Sequence, residues 1–235
     1  MNNPAWPATS PIAGRLSGKD GRKLSPRPEA HYLLSEAETL LSLSLFARSS
    51  AQIEELAKAQ SIDFGFGDAP SSAEGEALYD YQVISGQCFV VLPPDHALAR
   101  RDTIALEDLA GVALGTLQSD HAPRGKLNDR MNAAGLPLNV VLESQTFLPV
   151  LQFVEAGFCA AIIDPLTATH IEASGRSGDA IIVKPLSVPF RYRYGIYWPR
   201  FRAIPALGTS TRLAWEAEVW RYLTEIGADP RREQA

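Results

Sequence analysis

The sequence predicts an α/β fold with mainly parallel strands, arranged as one compact domain or two small lobes, and three observations predict it. Short apolar runs alternate with segments of three- and four-residue hydrophobic spacing along most of the 235-residue chain. Two of these alternations are complete strand, helix, strand units. The composition, 46% hydrophobic and 21% charged, is that of a folded globular protein with a sizeable core.

The elements follow in order. Residues 1–28 hold Pro4, Pro7, Pro11, Pro26 and Pro28 without hydrophobic period, so little regular structure is expected before the second half of that stretch. From Glu29, the spacing of Leu33, Leu34, Ala37, Leu40 and Leu41 predicts an amphipathic helix. Leu41, Leu43 and Leu45 then alternate with polar residues at a strand period. No Gly, Pro, Asn or Asp lies between Glu29 and Ile62, so a helix runs into a strand without punctuation. In "RSSAQIEELAKAQSIDFGFGD", Ser49 and Gln52 have capping-box spacing, Ile53, Leu56 and Ala57 give a helix an apolar face, and "SIDFGFGD" reads as a buried strand. "QCFVVLPP" and "GVALGTL" are strands around the short helix of "TIALEDLAG". In the second unit a strand, "NVVLE", leads into Ser144, Gln145 and Thr146. Phe147, Val150, Leu151 and Val154 then mark a helix that Gly157 ends, and "CAAIID" is the strand after it. "RYRYGIYW" alternates Arg191 and Arg193 with Tyr192 and Tyr194, and Leu213, Ala217, Trp220 and Leu223 mark a last helix.

Charge and side-chain chemistry exclude several classes. The net charge is −5, but Arg15, Lys19, Arg22, Lys23 and Arg27 against Asp20 make a local +4, leaving −9 on the rest of the chain. A short basic segment thus sits on an acidic body. No apolar run approaches the roughly 18 residues a membrane span needs, and no basic segment leads into an apolar one at the N-terminus; a cytoplasmic protein, with no membrane partner, is expected. Cys88 and Cys159 lie far apart, as for buried free thiols in a reducing compartment. His31, His96, His121 and His170 are scattered, without metal-ligand spacing. Ser119, Asp120 and His121 stand together in "QSDHAPRG", but neighbours in sequence seldom point at one another, and a polar loop is the better reading. Asp95-His96 reads as a turn. "GFGDAP" has G-x-G without the rest of a phosphate cradle. No catalytic residue, metal or cofactor is expected. What remains is a pair of helix N-termini entered by hydroxyl residues, at Ser49 and Ser50 and at Thr146, where backbone N–H groups favour an anion if the two face one crevice.

"RSSAQIEELAKAQSIDFGFGD", "FVVLPPDHALARRDTIALEDLAG" and "FLPVLQFVEAGFCAAIIDP", in this order, resemble the effector-binding domain of LysR-type transcriptional regulators. "GRKLSPRPEAHYLLSEAETLL" resembles the end of the family's winged helix-turn-helix and its linker helix. The resemblance covers about residues 21 to 226. It implies two Rossmann-like lobes with a cleft between them, similar to type 2 periplasmic binding proteins, joined by crossovers near Phe89 to Leu92 and Tyr192 to Ile196. A small-molecule effector would touch Ser49 and Ser50 from the first lobe and Ser144, Thr146 and Phe147 from the second. Homo-oligomers are implied, with DNA as partner of a complete member; here no recognition helix precedes the wing, so the basic cluster would touch phosphates without reading bases. The expected division is an irregular segment at 1–20, wing and linker-helix remnant at 21–42, lobe I at 43–90, lobe II at 91–192, a return to lobe I at 193–228 and a polar tail at 229–235. The family's extra strand and helix before "RSSAQ" are absent, which makes lobe I incomplete and accounts for the unpunctuated join. A solute-binding protein of similar fold, a deletion product of a regulator, and an α/β enzyme are the competing readings.

Overall fold

The computed structural model describes residues 17–20, 23–26, 44–70 and 78–233. The chain divides into two compact units, residues 1–47 and 48–235. In the first, β1 (Ser17–Asp20) and β2 (Lys23–Pro26) pair antiparallel, with Asp20 opposite Lys23. This hairpin falls where the sequence resembles a wing. The helix expected from Glu29 to Leu41 lies outside the described residues.

The second unit contains two sheets. In lobe I, β3 (Gly65–Asp68), β4 (Tyr79–Gln87), β10 (Arg191–Pro199) and β11 (Arg231–Glu233) form a sheet of order β11-β4-β10-β3, antiparallel throughout. Helix α1 (Ser50–Lys58) covers one face, where Ile53 and Ala57 meet Tyr79 and Tyr197. Helix α5 (Ala206–Glu225) covers the other, where Trp215 meets Phe64 and Phe66. The strand period explains the G-x-G: Phe66 faces α5, while a Cβ at Gly65 would come 2.3 Å from Ile53 and one at Gly67 3.0 Å from Ser50. The glycines bring the start of α1 onto the strand rather than cradle a phosphate.

In lobe II, β5 (Phe89–Leu92), β6 (Ala113–Leu117), β7 (Asn139–Ser144), β8 (Ala160–Ile163) and β9 (Ile182–Pro185) form a sheet of order β7-β6-β8-β5-β9. Helices α2 (Ala122–Ala133), α3 (Phe147–Glu155) and α4 (Pro165–Ala173) pack around it. Its centre is made of Val90, Val91, Leu92, Val150, Leu151, Val154 and Ile163, each at 0% exposure.

Four expectations are corrected. Strand direction is not mainly parallel: among the described residues only β6 pairs parallel within the sheets, with β7 and β8. One crossover leaves lobe I and the other returns to it, so β4 and β10 must run antiparallel. The strand period expected at Leu41, Leu43 and Leu45 enters the described residues only from 44 on, and residues 44–49 form no strand, with Leu45 and Phe46 exposed. "QSDHAPRG" is not all loop but opens α2, whose buried residues are Leu127 and Met131 alone. Within the expected tail at 229–235, Arg231–Glu233 form β11 at the edge of lobe I.

A Cβ at Gly115 would lie 2.6 Å from Val150 Cγ1 and 3.1 Å from Cys159 Sγ. Gly115→Ala should therefore lower stability by about 1 to 3 kcal/mol in urea denaturation. The double variant with Val150→Ala should lose less than the sum of the two single losses.

Candidate functional site

Between the lobes the chain crosses at two adjacent points. Cys88, the residue between β4 and β5, donates its N–H to the Phe190 carbonyl at 2.8 Å, and Phe190 N–H donates to Gln87 Oε1 at 3.1 Å. A small pocket with a cavity volume of about 20 Å³, partly open to solvent, lies against this crossing. Its wall is mostly apolar, with Cys88, Leu127, Phe147, Ile163, Phe190 and Tyr192 prominent, and Arg124 and Thr116 supply polar atoms. Burial pushes the Cys88 thiol far above its ordinary range, so it is neutral packing rather than a nucleophile.

Of the expected site residues, Phe147 lines this pocket, and Ser49, Ser50, Ser144 and Thr146 do not. Ser49 is the N-cap of α1, and its hydroxyl and Gln52 complete a capping box. That hydroxyl is occupied in holding the helix start. Ser50 Oγ accepts from Asp68 N–H at 2.9 Å and keeps its own hydrogen to donate. Ser144 ends β7, and its Oγ lies 3.5 Å from Thr146 N. Thr146 stands at the N-cap of α3 but its side chain makes no cap bond, which leaves the backbone N–H groups of that helix start available. Phe147 is buried on the pocket wall, its ring 6.4 Å edge-on from Tyr192.

Sequence reasoning missed the polar bridge linking the two helix starts. Asp68, at the end of β3, lies 2.9 Å from His121 Nδ1 and accepts from the Tyr192 hydroxyl. His121 Nε2 lies 2.9 Å from Gln145 Nε2, one residue before Thr146. Ser119 and Asp120 are therefore not the partners of His121. Asp68, His121 and Gln145 each sit at or just beyond the C-terminal end of a strand, where α/β sheets place ligands, and that position was the available signal. Arg124 is also held in place, with Nη1 on Thr116 Oγ1 at 2.9 Å, Nε on Asn128 Oδ1 at 3.1 Å, and Glu143 at 3.4 Å.

A second buried carboxylate fastens the lobes behind the pocket. Asp164, the N-cap of α4, accepts from Leu166 N–H and Thr167 N–H, from the Thr167 hydroxyl, and from the hydroxyl of Tyr194 on β10. Among the described residues no cluster could hold a metal, and no helix is long and apolar enough to cross a membrane.

One antiparallel and one mixed sheet, joined by paired crossovers with a pocket at the crossing, define a two-lobe α/β domain of the periplasmic-binding-protein-like class. Residues 33–213 match the family described as LysR substrate binding domain, and the chain belongs to that family. Among curated relatives, the Transcriptional activator protein LysR of Escherichia coli (strain K12) is 25% identical over 188 residues, 80% of this chain and 58% of that protein. The chain thus spans about six-tenths of the length of that relative. Among solved structures, the CcmR regulatory domain of Synechocystis PCC6803 in complex with 2-PG has a TM-score of 0.62 at 15% identity, covering 80% of this chain and 89% of that one. The BenM effector binding domain with its effector benzoate has a TM-score of 0.60 at 17% identity, covering 83% and 86%. These likenesses establish the fold.

Burial raises the Asp164 carboxyl above the ordinary carboxylate range, against the pull of its donors. The folded chain then holds this proton more tightly than the unfolded chain. The stability this group contributes is full below about pH 4 and is lost as pH rises through the folded value. Asp164→Asn, neutral throughout, should gain in stability relative to the wild type as pH rises from 4 to 7 in denaturation series.

Proposed function

We propose that this chain is the sensing portion of a LysR-type transcriptional regulator and that it binds a small organic anion between its lobes. The observation that carries the reading is Arg124, a guanidinium with 10% side-chain exposure on a mostly apolar pocket wall, paired at 3.4 Å with the more exposed Glu143. A buried cation beside apolar surface suits a ligand that joins an acid group to a compact apolar body. The N-terminus of α3, with the Thr146 and Ser144 hydroxyls, adds donors for the same charge, and Ser50 and the start of α1 approach it from lobe I. Phe147 would pack on the apolar part. Ser49 acts through the helix it caps. Benzoate, the effector named for the BenM domain, is a ligand of this kind.

The cleft's work on this reading is binding and release, with no bond made or broken. Binding would shift the balance between arrangements of paired copies, and the shift would reach DNA through the part of the regulator ahead of this domain. The basic segment from Arg15 to Arg27 would touch phosphates without reading bases.

Calorimetry with a panel of small carboxylic acids, each beside its uncharged amide, tests the reading. An acid should bind and its amide should not. For that acid, Thr146→Val should cost roughly 1 to 3 kcal/mol and Arg124→Met at least as much. Equal binding of acid and amide would overturn the anionic reading, and unchanged affinity in Thr146→Val would remove Thr146 from the site.

A further inference from the structure

The pocket and the polar bridge share one residue, Tyr192, which lines the first and donates its hydroxyl into the second. Two donors therefore converge on one carboxylate: the Tyr192 hydroxyl on Asp68 Oδ1 and the His121 ring on Asp68 Oδ2. His121 Nδ1 faces a carboxylate oxygen, which can only accept from it, so the ring carries a hydrogen there, while Nε2 meets the Gln145 side-chain amide at 2.9 Å. The bridge is well shielded, with the His121 and Asp68 side chains 11% and 14% exposed. Its ends belong to different lobes, Asp68 to the last position of β3 and His121 to the residue before α2. Further contacts hold it in register: Ser50 Oγ takes Asp68 N–H, and the Tyr197 hydroxyl donates to the Asp68 carbonyl.

We propose that Asp68, His121 and Gln145 form an interlobe latch beside the pocket, with the protein's own carboxylate holding donors that a ligand's acid group would take, so that the small pocket widens to admit a ligand only after Asp68 has released His121. Tyr192 and His121 are donors suited to an acid group, and Asp68 already occupies them from within. An arriving anion meets a negative charge until the lobes part, and can then take over the same donors. Asp68 is thus both the tie between the lobes and a stand-in for the acid group of a ligand. This inference takes its meaning from the cleft reading above and regulates that same site.

Cys88 reports on the latch without any effector, because it lies on the pocket wall and is 4% exposed. In a Cys159→Ala background the chain has one thiol, and its rate of reaction with methyl methanethiosulfonate at constant pH measures opening. Asp68→Ala and His121→Ala should each raise that rate about tenfold, the effect of losing one charge-assisted hydrogen bond. The double variant should be no faster than the faster single one, since both break the same contact. The two substitutions alter local charge differently, so a shared acceleration reports access rather than thiol reactivity. Cys159, beneath Gly115 in lobe II, is the control in a Cys88→Ala background, and its rate should not respond. Wild-type rates at Cys88 in both variants, effects that multiply in the double variant, or an equal rise at Cys159 would each overturn the latch. No organic acid is present in this assay, so the latch can fail while calorimetry upholds the cleft, and the reverse.

Discussion

The structure depends on one antiparallel strand pair. β4 and β10 run side by side from Tyr79 opposite Pro199 to Gln87 opposite Arg191, and at their end the chain passes into the second sheet through Cys88 and Phe190. Two strands crossing together in opposite directions make a joint that can flex without breaking either sheet, because each sheet keeps its own hydrogen bonds on its own side. Lobe I has β4 and β10 as its central strands. Lobe II begins with β5, which the β4 chain becomes after a single residue. The pocket lies beside this joint, so a small change in the crossing alters the volume between the lobes.

β10 also carries the tyrosines that tie the rest of the molecule to the joint. Tyr192 donates to Asp68 at the end of β3, Tyr194 to Asp164 at the start of α4, and Tyr197 to the Asp68 carbonyl. Burial holds the Tyr192 and Tyr194 hydroxyls far above the ordinary tyrosine range, so they act as permanent donors. Each of the two acids they meet has further donors of its own, which is the condition under which a buried carboxylate is tolerated. The two acids differ in what surrounds them. Asp164 meets the lobe II helix it caps and a tyrosine of the returning strand, whereas Asp68 is shared with a histidine of the opposite lobe. The first is a fastening and the second can part.

Legibility followed the strength of each local pattern. Helix α3 was readable because Phe147, Val150, Leu151 and Val154 are all buried and stand at helical spacing, and Gly157 ends it with a positive φ. Strands β5 and β8 were readable as unbroken apolar runs, being buried along their whole length. Helix α2 was not, because Leu127 and Met131 are its only buried residues and polar residues fill the rest. β4 gave no clean signal either: in "YDYQVISGQ" a buried Tyr79 is followed by three half-buried residues and then a run of four buried ones, so no single period describes it. At the site, the two helix starts were legible from their hydroxyl residues, but His121 was hidden beside a serine and an aspartate that it does not touch. Its acidic partner is 53 residues away in sequence.

By itself the sequence determined the α/β class, the capped start of α1, the entry to α3, the runs that become buried strands and the resemblance that names the family. Each of these rests on contacts between near neighbours or on a burial period that an isolated segment already displays. Only the tertiary structure decided the direction of the strands, the use of residues 231–233 as an edge strand, and the meeting of Asp68, His121 and Gln145. Strand direction depends on where a returning segment docks, and a hydrogen bond between lobes depends on how two separately folded sheets are turned about their joint. Neither is encoded in any stretch short enough to be read alone.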